Sequence, residues 1–501
     1  MRKKLWIPII VCFGLLGCQD NKEQVKHPNI ILILADDLGS GDVNCYNPDS
    51  KIPTPNLDII AEQGVRFTDA HSGSAVCTPT RYGIMTGRYC WRTRLKRGVL
   101  NGYSNHLIDP ARTTIASLLK AKGYYTAGIG KWHLGMDYKK DSLGEVDFSA
   151  KIENSPNVNG FDYFYGIAAS LDFPPYVYIE NDHFTKTPTE TQKKLGFPRY
   201  LRKGEKADNF HFETAWEQLL EKASGIIDNH PSDKPFFLYF ALPSPHKPVW
   251  PDSRFIGETE LGPYGDFVYQ TDHIVGVVLQ KLKKSGIEEN TLLMVTSDNG
   301  SFMYRLDDAN EADHLVDETI QGYFPENHTA NYKYRGTKAD VWEAGHHVPF
   351  LVQWPGNIEK GKVLDQTICT TDFLATLADL LGVDLAENEG EDSFSFMSLL
   401  WGNEEEYARA PVVNHSANGM FAIRDGAYKL VLGNGSGGRQ HPRGKPWEKP
   451  YAFFNLAEDI SETTNIIDDN QPLALKMEQA LNRIIDSGSS KEKVQKIVKS
   501  D

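Results

Sequence analysis

Residue types able to do chemistry recur in short motifs between Asp36 and Lys338. In Cys77-Thr78-Pro79-Thr80-Arg81, followed by Thr86-Gly87-Arg88, Pro79 suits the first turn of a helix because proline has no N–H to lose there. A Cys77 nucleophile at that end would sit in the positive field of the helix dipole, beside unpaired backbone N–H groups. Asp36-Asp37 follows the apolar run 29–34, and Asp298-Asn299-Gly300 follows the run 291–296. Adjacent carboxylates repel unless a cation neutralises them. Carboxylates joined by an amide oxygen are hard ligands, suited to Ca2+ or Mg2+ rather than zinc. Either motif alone is compatible with a helix cap or a turn; both at strand ends point to one oxygen-rich cation site. Gly130-Lys131-Trp132-His133-Leu134-Gly135 sets a fixed cation, Lys131, two residues from a titratable base, His133, and an extended backbone would aim both to one side. Pro243-Ser244-Pro245-His246-Lys247-Pro248 holds His246 in a proline-stiffened loop, as suits a general acid. Lys338, in Tyr334-Arg335-Gly336-Thr337-Lys338, offers a point charge to an anion.

Such residues need a scaffold that gathers strand ends. The continuous apolar run 29–34 predicts a buried strand of a parallel sheet. Further strands are expected at 124–129, 236–242, 291–296 and 349–353. Helices are expected at 114–122, stopped by Gly123, at 267–284, stopped by Gly286, and at 372–381. This alternation predicts a large α/β domain over 28–385, with a mostly parallel sheet flanked by helices. Active sites of such sheets form at the carboxyl ends of the strands, where the motifs fall. The polar stretch 386–392 and the charged run 403–406 mark a boundary. Strand signals at 421–424, 428–432 and 452–455 and a helix at 473–485 predict a smaller α+β domain over 386–488, with a short antiparallel sheet. A polar tail, 489–501, follows.

The 501 residues leave room for two domains, and a formal charge of −14 argues against a nucleic-acid partner. Lys3 and Lys4 precede an apolar run, 7–16, that falls short of the roughly 20 residues needed to cross a bilayer; residues 1–17 read as a signal peptide. Leu15-Leu16-Gly17-Cys18 resembles the lipobox of bacterial lipoproteins. It implies cleavage before Cys18, acylation there, and a tether over 18–27. The expected location is then the periplasm or the outer membrane and cell surface; a simple secretory signal cut nearby is the alternative. Cys45, Cys77, Cys90 and Cys369 remain in the mature body. Export permits disulfides, but with Cys77 assigned to chemistry at most one pair can form. Their spacing does not fit a structural zinc site.

Together and in order, Asp36-Asp37, C-T-P-T-R with T-G-R, G-K-W-H-L-G, P-S-P-H, S-D-N-G and R-G-T-K resemble the type I, formylglycine-dependent sulfatases of the alkaline phosphatase superfamily. The resemblance covers nearly the whole mature chain. It implies that Cys77 becomes formylglycine, made by a formylglycine-generating or anaerobic sulfatase-maturing enzyme. It also implies that Asp36, Asp37, Asp298 and Asn299 hold one Ca2+, with the group made from Cys77 beside the metal. By the same resemblance Arg81 holds the hydrated aldehyde and Lys131 and Lys338 bind sulfate. His133 takes a proton from the hydrate, and His246 faces the leaving group. R-G-T-K-A-D-V-W-E-A-G departs from the glycine-rich form of this loop in many members.

The implied activity is that of a sulfuric ester hydrolase, nearest to the arylsulfatase and N-acetylgalactosamine-6-sulfatase type members. Its implied substrate is a sulfated carbohydrate, a glycosaminoglycan or algal glycan fragment with a galacto-configured 6-sulfate. Alternatives are a phosphodiesterase or phosphonate monoester hydrolase of the same superfamily, and an inactive glycan-binding lipoprotein. The aromatic segment 170–178 suits a sugar-binding wall or packing on the sheet. Asp172, Tyr176, His183, His106 and His415 are the expected substrate contacts, with Arg92 and Arg94 further candidates for the rim.

Overall fold

A strand with no polar face must be covered on both sides, and Asn29–Asp36 (β1), all eight residues buried, lies inside a ten-stranded sheet. The structure is a computed structural model and describes residues 27–231, 234–306 and 312–491. The signal peptide, Cys18 and nearly all of the tether and polar tail lie outside the described residues. The other strands are Val65–Phe67 (β2), Tyr125–Lys131 (β3), Tyr163–Ile167 (β4), Ile179–Glu180 (β5), His183–Phe184 (β6), Phe236–Pro245 (β7), Thr291–Ser297 (β8), Phe350–Gln353 (β9) and Lys362–Leu364 (β10). Their order is β10-β2-β9-β8-β1-β7-β3-β4-β5-β6. The stretch β8-β1-β7-β3-β4 is parallel throughout, so its carboxyl ends share one edge. Strand β9 was expected in the same alternating series but runs antiparallel to β8. The register of β1 against β7 slips at its end: Leu34 faces Ala241, yet Asp36 faces Pro245. Such an irregularity re-aims side chains at a strand end.

Helices Pro55–Gln63 (α1), Ala215–Asn229 (α4) and Gly262–Lys284 (α5) form one layer; Cys77–Thr86 (α2), Ile115–Ala121 (α3) and Phe373–Leu380 (α7) form another. Every residue of α2 is buried. It stops at Gly87, whose left-handed φ of 62° lets its N–H close on the Gly83 carbonyl at 2.8 Å. Short helices Glu343–His346 (α6) and Met397–Leu400 (α8) precede the last, Gln471–Ser487 (α9). No helix among the described residues is long and apolar enough to cross a membrane.

The C-terminal part builds an antiparallel sheet, in order, from Val412–His415, Phe421–Asp425, Tyr428–Val431 and Ala452–Asn455. Ala474, Met477, Ala480, Leu481 and Ile484 of α9 share a core with that sheet and with Tyr89 and Trp91, just beyond α2. Phe396 packs with Phe67, Phe350 and Phe373 in the main core, so that core continues past residue 385. A buried polar seam joins the two parts. Lys429 lies 2.9 Å from Glu343 and 2.8 Å from Glu462, and Arg424 lies 2.6 Å from Asp69, beside His71, His346 and His347.

That seam makes stability sensitive to acid. Burial, then the neighbouring His71, brings the pKa of His347 down to about 3. The unfolded chain binds the same proton near pH 6.5, so acid favours unfolding over the range from about 6.5 to about 3. In urea melts, stability is expected to be full above pH 7 and to fall on acidification. His347→Asn should reduce that slope by one proton, about 1.4 kcal/mol per pH unit.

Candidate active site

Asp36 ends β1, Lys131 ends β3, His246 follows β7 and Asp298 follows β8, so neighbouring parallel strands deliver them to one edge. Helix α2 brings Cys77 and Arg81, and the loop before α6 brings Lys338. Lys131 Nζ is 2.7 Å from Asp36 Oδ2. Arg81 donates from Nε and Nη2 to Asp298 Oδ2 at 2.9 and 2.8 Å, and from Nη1 to the Lys131 carbonyl at 3.1 Å. Asp37, with a left-handed φ of 66°, donates its N–H to Asp298 Oδ1 and accepts from Asn299 Nδ2 at 2.7 Å. Lys338 Nζ bridges Asp37 Oδ1 and Cys77 Sγ, 3.3 Å from the sulfur; the sulfur is 3.6 Å from Asp36 Oδ1.

Three carboxylates and three cations are thus buried in one cluster, each acid with its own cation. Burial pushes Asp36 up to about 7 against the pull of Lys131, with Asp298 and Asp37 repelling. Burial also acts on Asp298, but Arg81, then Lys131 and Lys338, outweigh it and hold that acid at about 2. Burial, with Asp298 beside it, pushes the Cys77 thiol up to about 12, so the unmodified sulfur stays protonated and a poor nucleophile. Two oxygens of the cluster, Asp37 Oδ2 and Asn299 Oδ1, are buried and accept no hydrogen bond. With the carboxylates of Asp36 and Asp298 beside them, these oxygens are a donor set that fits a hard divalent cation, and donor atoms of Asp36, Asp37, Cys77 and His246 lie within 4.8 Å of one another.

Two histidines flank the sulfur. His133 sits at a φ of 60°, so a left-handed residue, rather than the extended spacing expected from Lys131, turns its ring into the cavity. Its Nε2 is 2.8 Å from the Leu100 carbonyl, which places the proton there, and its buried Nδ1 has no partner. Burial, then Lys131, holds its pKa well below the usual value, so Nδ1 is a free base. His246 donates from Nδ1 to the Lys247 carbonyl at 2.6 Å and turns Nε2 toward Asp37 Oδ2 at 3.6 Å. Burial, then Lys338, lowers its pKa in the same way.

Cys77, His133, His246 and Lys338 open into a cavity of about 420 Å³, together with Asp172. Asp172 pairs with Arg202 through Oδ2, while its Oδ1 is buried without a hydrogen bond, 3.9 Å from His246 Nδ1. The other expected substrate contacts stand elsewhere. Tyr176 is buried behind the wall, its hydroxyl donated to the carbonyls of Asp172 and Arg202. His183 is exposed on the edge strand β6 beside Asp182. His106 is held by Asn159 at 2.8 Å, and His415 packs on Phe421 while its carbonyl anchors Ser74 and Ala75. Arg92 pairs with Asp392, and Arg94 caps the carbonyls of Asn105 and His106. Cys45, Cys77, Cys90 and Cys369 are all unpaired.

Sequence reasoning missed Lys247, Arg202, Arg439 and Arg443 of the cavity wall. Lys247 was legible beside His246; Arg439 carries no local signal beyond a glycine-rich loop.

Arg81→Lys keeps the charge but loses the fork that grips Asp298 Oδ2 and reaches the Lys131 carbonyl. Turnover by this variant is expected to fall by at least about 100-fold, and its thermal unfolding midpoint to fall with it, because the buried fork holds both the site and the packing of α2.

Residues 28–383 match the sulfatase family model, and residues 337–487 match that of the N-sulphoglucosamine sulphohydrolase C-terminal region. An N-acetylgalactosamine-6-O-sulfatase of Bacteroides thetaiotaomicron is 32% identical, covering 95% of this chain and 98% of its own length. Human arylsulfatase A is 30% identical over 92% of this chain and 87% of its own. A solved Bacteroides thetaiotaomicron structure, from work on the metabolism of multiple glycosaminoglycans, superposes with a TM-score of 0.81 at 30% identity, covering 92% of this chain and all of the other. With this site at the edge of this sheet, the chain belongs to the sulfatase family and is a sulfuric ester hydrolase.

Proposed function

We propose that the protein removes sulfate from a sulfated carbohydrate, using a formylglycine made from Cys77 and one Ca2+ held by Asp36, Asp37, Asp298 and Asn299. The observation that carries this reading is the pair of buried, unpartnered oxygens, Asp37 Oδ2 and Asn299 Oδ1, beside a sulfur too protonated to attack. The ion supplies charge to polarise a sulfate oxygen, and the hydrated aldehyde supplies two hydroxyls on one carbon, one to bond sulfur and one to release it. The remaining work falls to side chains already in place. Lys131 and Lys338 stabilise charge on the sulfate oxygens, and Arg81 keeps the cluster rigid. His133 Nδ1 accepts a proton, since its Nε2 proton is committed to Leu100. His246 must first bind a proton at Nε2, which an incoming anion favours, and can then pass it to the departing sugar oxygen.

A galacto-configured 6-sulfate is supported by the N-acetylgalactosamine-6-O-sulfatase relative, and Asp172 Oδ1 is placed to accept a sugar hydroxyl. All residue types that the chemistry requires are present, which favours a working enzyme over a binding lipoprotein. Export with a lipid anchor at Cys18 suits a glycan substrate, and Cys77 conversion calls for a maturing enzyme as partner.

Mass analysis of the Cys77 tryptic peptide from the native host is expected to lie roughly 18 Da below the cysteine form and to react with aldehyde reagents; an unmodified thiol in active protein sinks the mechanism. His246→Ala should slow sugar sulfates by about 10²–10⁴-fold but an aryl sulfate much less, because a phenolate leaves without a proton. Equal loss on both substrates would remove His246 from the leaving-group role.

A further inference from the structure

Each carboxylate of the catalytic cluster has its own cation, and the Asp172 carboxylate has Arg202. Three more cations, Lys247, Arg439 and Arg443, line the same cavity wall, and the first two are held deepest in the structure's own contacts. Lys247 Nζ meets neutral groups: Gln321 Oε1 at 3.1 Å and the ring faces of Phe302 and Tyr200 at 5.3 and 5.5 Å. Arg439 forms no ion pair among the described residues, and its Nη1 is buried without an acceptor.

The position of Arg439 is built into the fold. Its N–H and that of Gln440 both donate to Asp340 Oδ1, at 2.5 and 3.1 Å, and the Ser436 carbonyl accepts from Val341. A Cβ on Gly438 would lie 2.3 Å from the Ala339 carbonyl oxygen and 2.4 Å from Asp340 Oδ1, so only glycine lets the loop close on the segment after Lys338. The guanidinium is thereby tied to the strand of chain that carries a catalytic lysine.

We infer that Lys247 and Arg439 form a second oxyanion subsite, so that the preferred substrate carries a further carboxylate or sulfate beside the sulfate that is cleaved. This rests on the carbohydrate reading above. A neutral sugar in the cavity leaves both cations unmatched. A carboxylate or sulfate accepts from the Arg439 fork and the Lys247 ammonium together. The chain as a whole carries −14, so the local excess of positive charge selects for anions at this cavity and not over the whole surface.

The test compares kcat/KM for an aryl sulfate, a neutral monosulfated saccharide, the same saccharide joined to a uronate, and its disulfated form. Wild type is expected to prefer one of the doubly anionic saccharides over the neutral one by about tenfold or more, the scale of a charge-assisted hydrogen bond, and the better of the two shows which oxyanion is used. Arg439→Gln and Lys247→Gln should shrink that preference through KM, and Arg439→Lys should restore part of it. A wild type with no preference, or a preference that Arg439→Gln leaves intact, overturns the subsite. Aryl sulfate turnover with no turnover of any saccharide overturns the carbohydrate reading itself.

Discussion

The interaction on which the structure turns is the grip of Arg81 on Asp298. A guanidinium with no exposed surface is sustainable only if its charge and its N–H groups are met, and here one carboxylate oxygen and the Lys131 carbonyl meet them. Because Arg81 belongs to α2 while its partners stand just past the end of β8 and at the end of β3, the contact fixes the angle at which the helix meets the sheet. Cys77, one turn earlier on the same helix, inherits that placement. Burying α2 along its whole length, against α3 and α7, keeps water from competing with the pair.

The same burial explains why a plain cysteine would serve poorly here. A thiolate needs a positive, partly wet surrounding, yet this sulfur is buried among Asp36 and Asp298, and Lys338 beside it is already paired with Asp37. An uncharged electrophile that hydrates needs no such surrounding. The cluster is therefore tuned for oxygen chemistry: oxygens for a hard ion, cations for a tetrahedral anion, and a histidine lone pair at His133 Nδ1.

Much of this was legible in the sequence, for reasons that differ by element. Strands β1, β7 and β8 are long and apolar on both faces, so their places and the polar residues at their ends could be read together. Strands β5, β6 and β10, of two or three residues, carry no periodicity to read. The direction of β9 depends on the chain path between Ser297 and Phe350, which composition does not encode. Of the two expected substrate contacts in this segment, Asp172 lines the cavity, yet Tyr176, four residues on, faces away, its hydroxyl donated to backbone carbonyls. Histidines misled most. His106, His183 and His415 serve as a buried hydrogen-bond partner, an exposed ion partner and a packing surface, and residue type alone does not separate these uses from substrate contact. Arg439 reaches the cavity only through tertiary contact with Asp340, so nothing near it in the chain announces the role.

The loop that carries Arg439 joins two strands of the C-terminal sheet, Tyr428–Val431 and Ala452–Asn455. It hangs from a frame whose core is separate from the sheet that holds the catalytic groups. Of the two cations of the proposed subsite, Lys247 thus stands at a strand end beside His246 and Arg439 on a loop between sheet strands, which tolerates changes of length and composition that a strand end does not. On that proposal, a lineage built on this plan can change which sulfate esters it accepts by editing that hairpin connection, while the strand ends that carry the reactive centre are inherited unchanged.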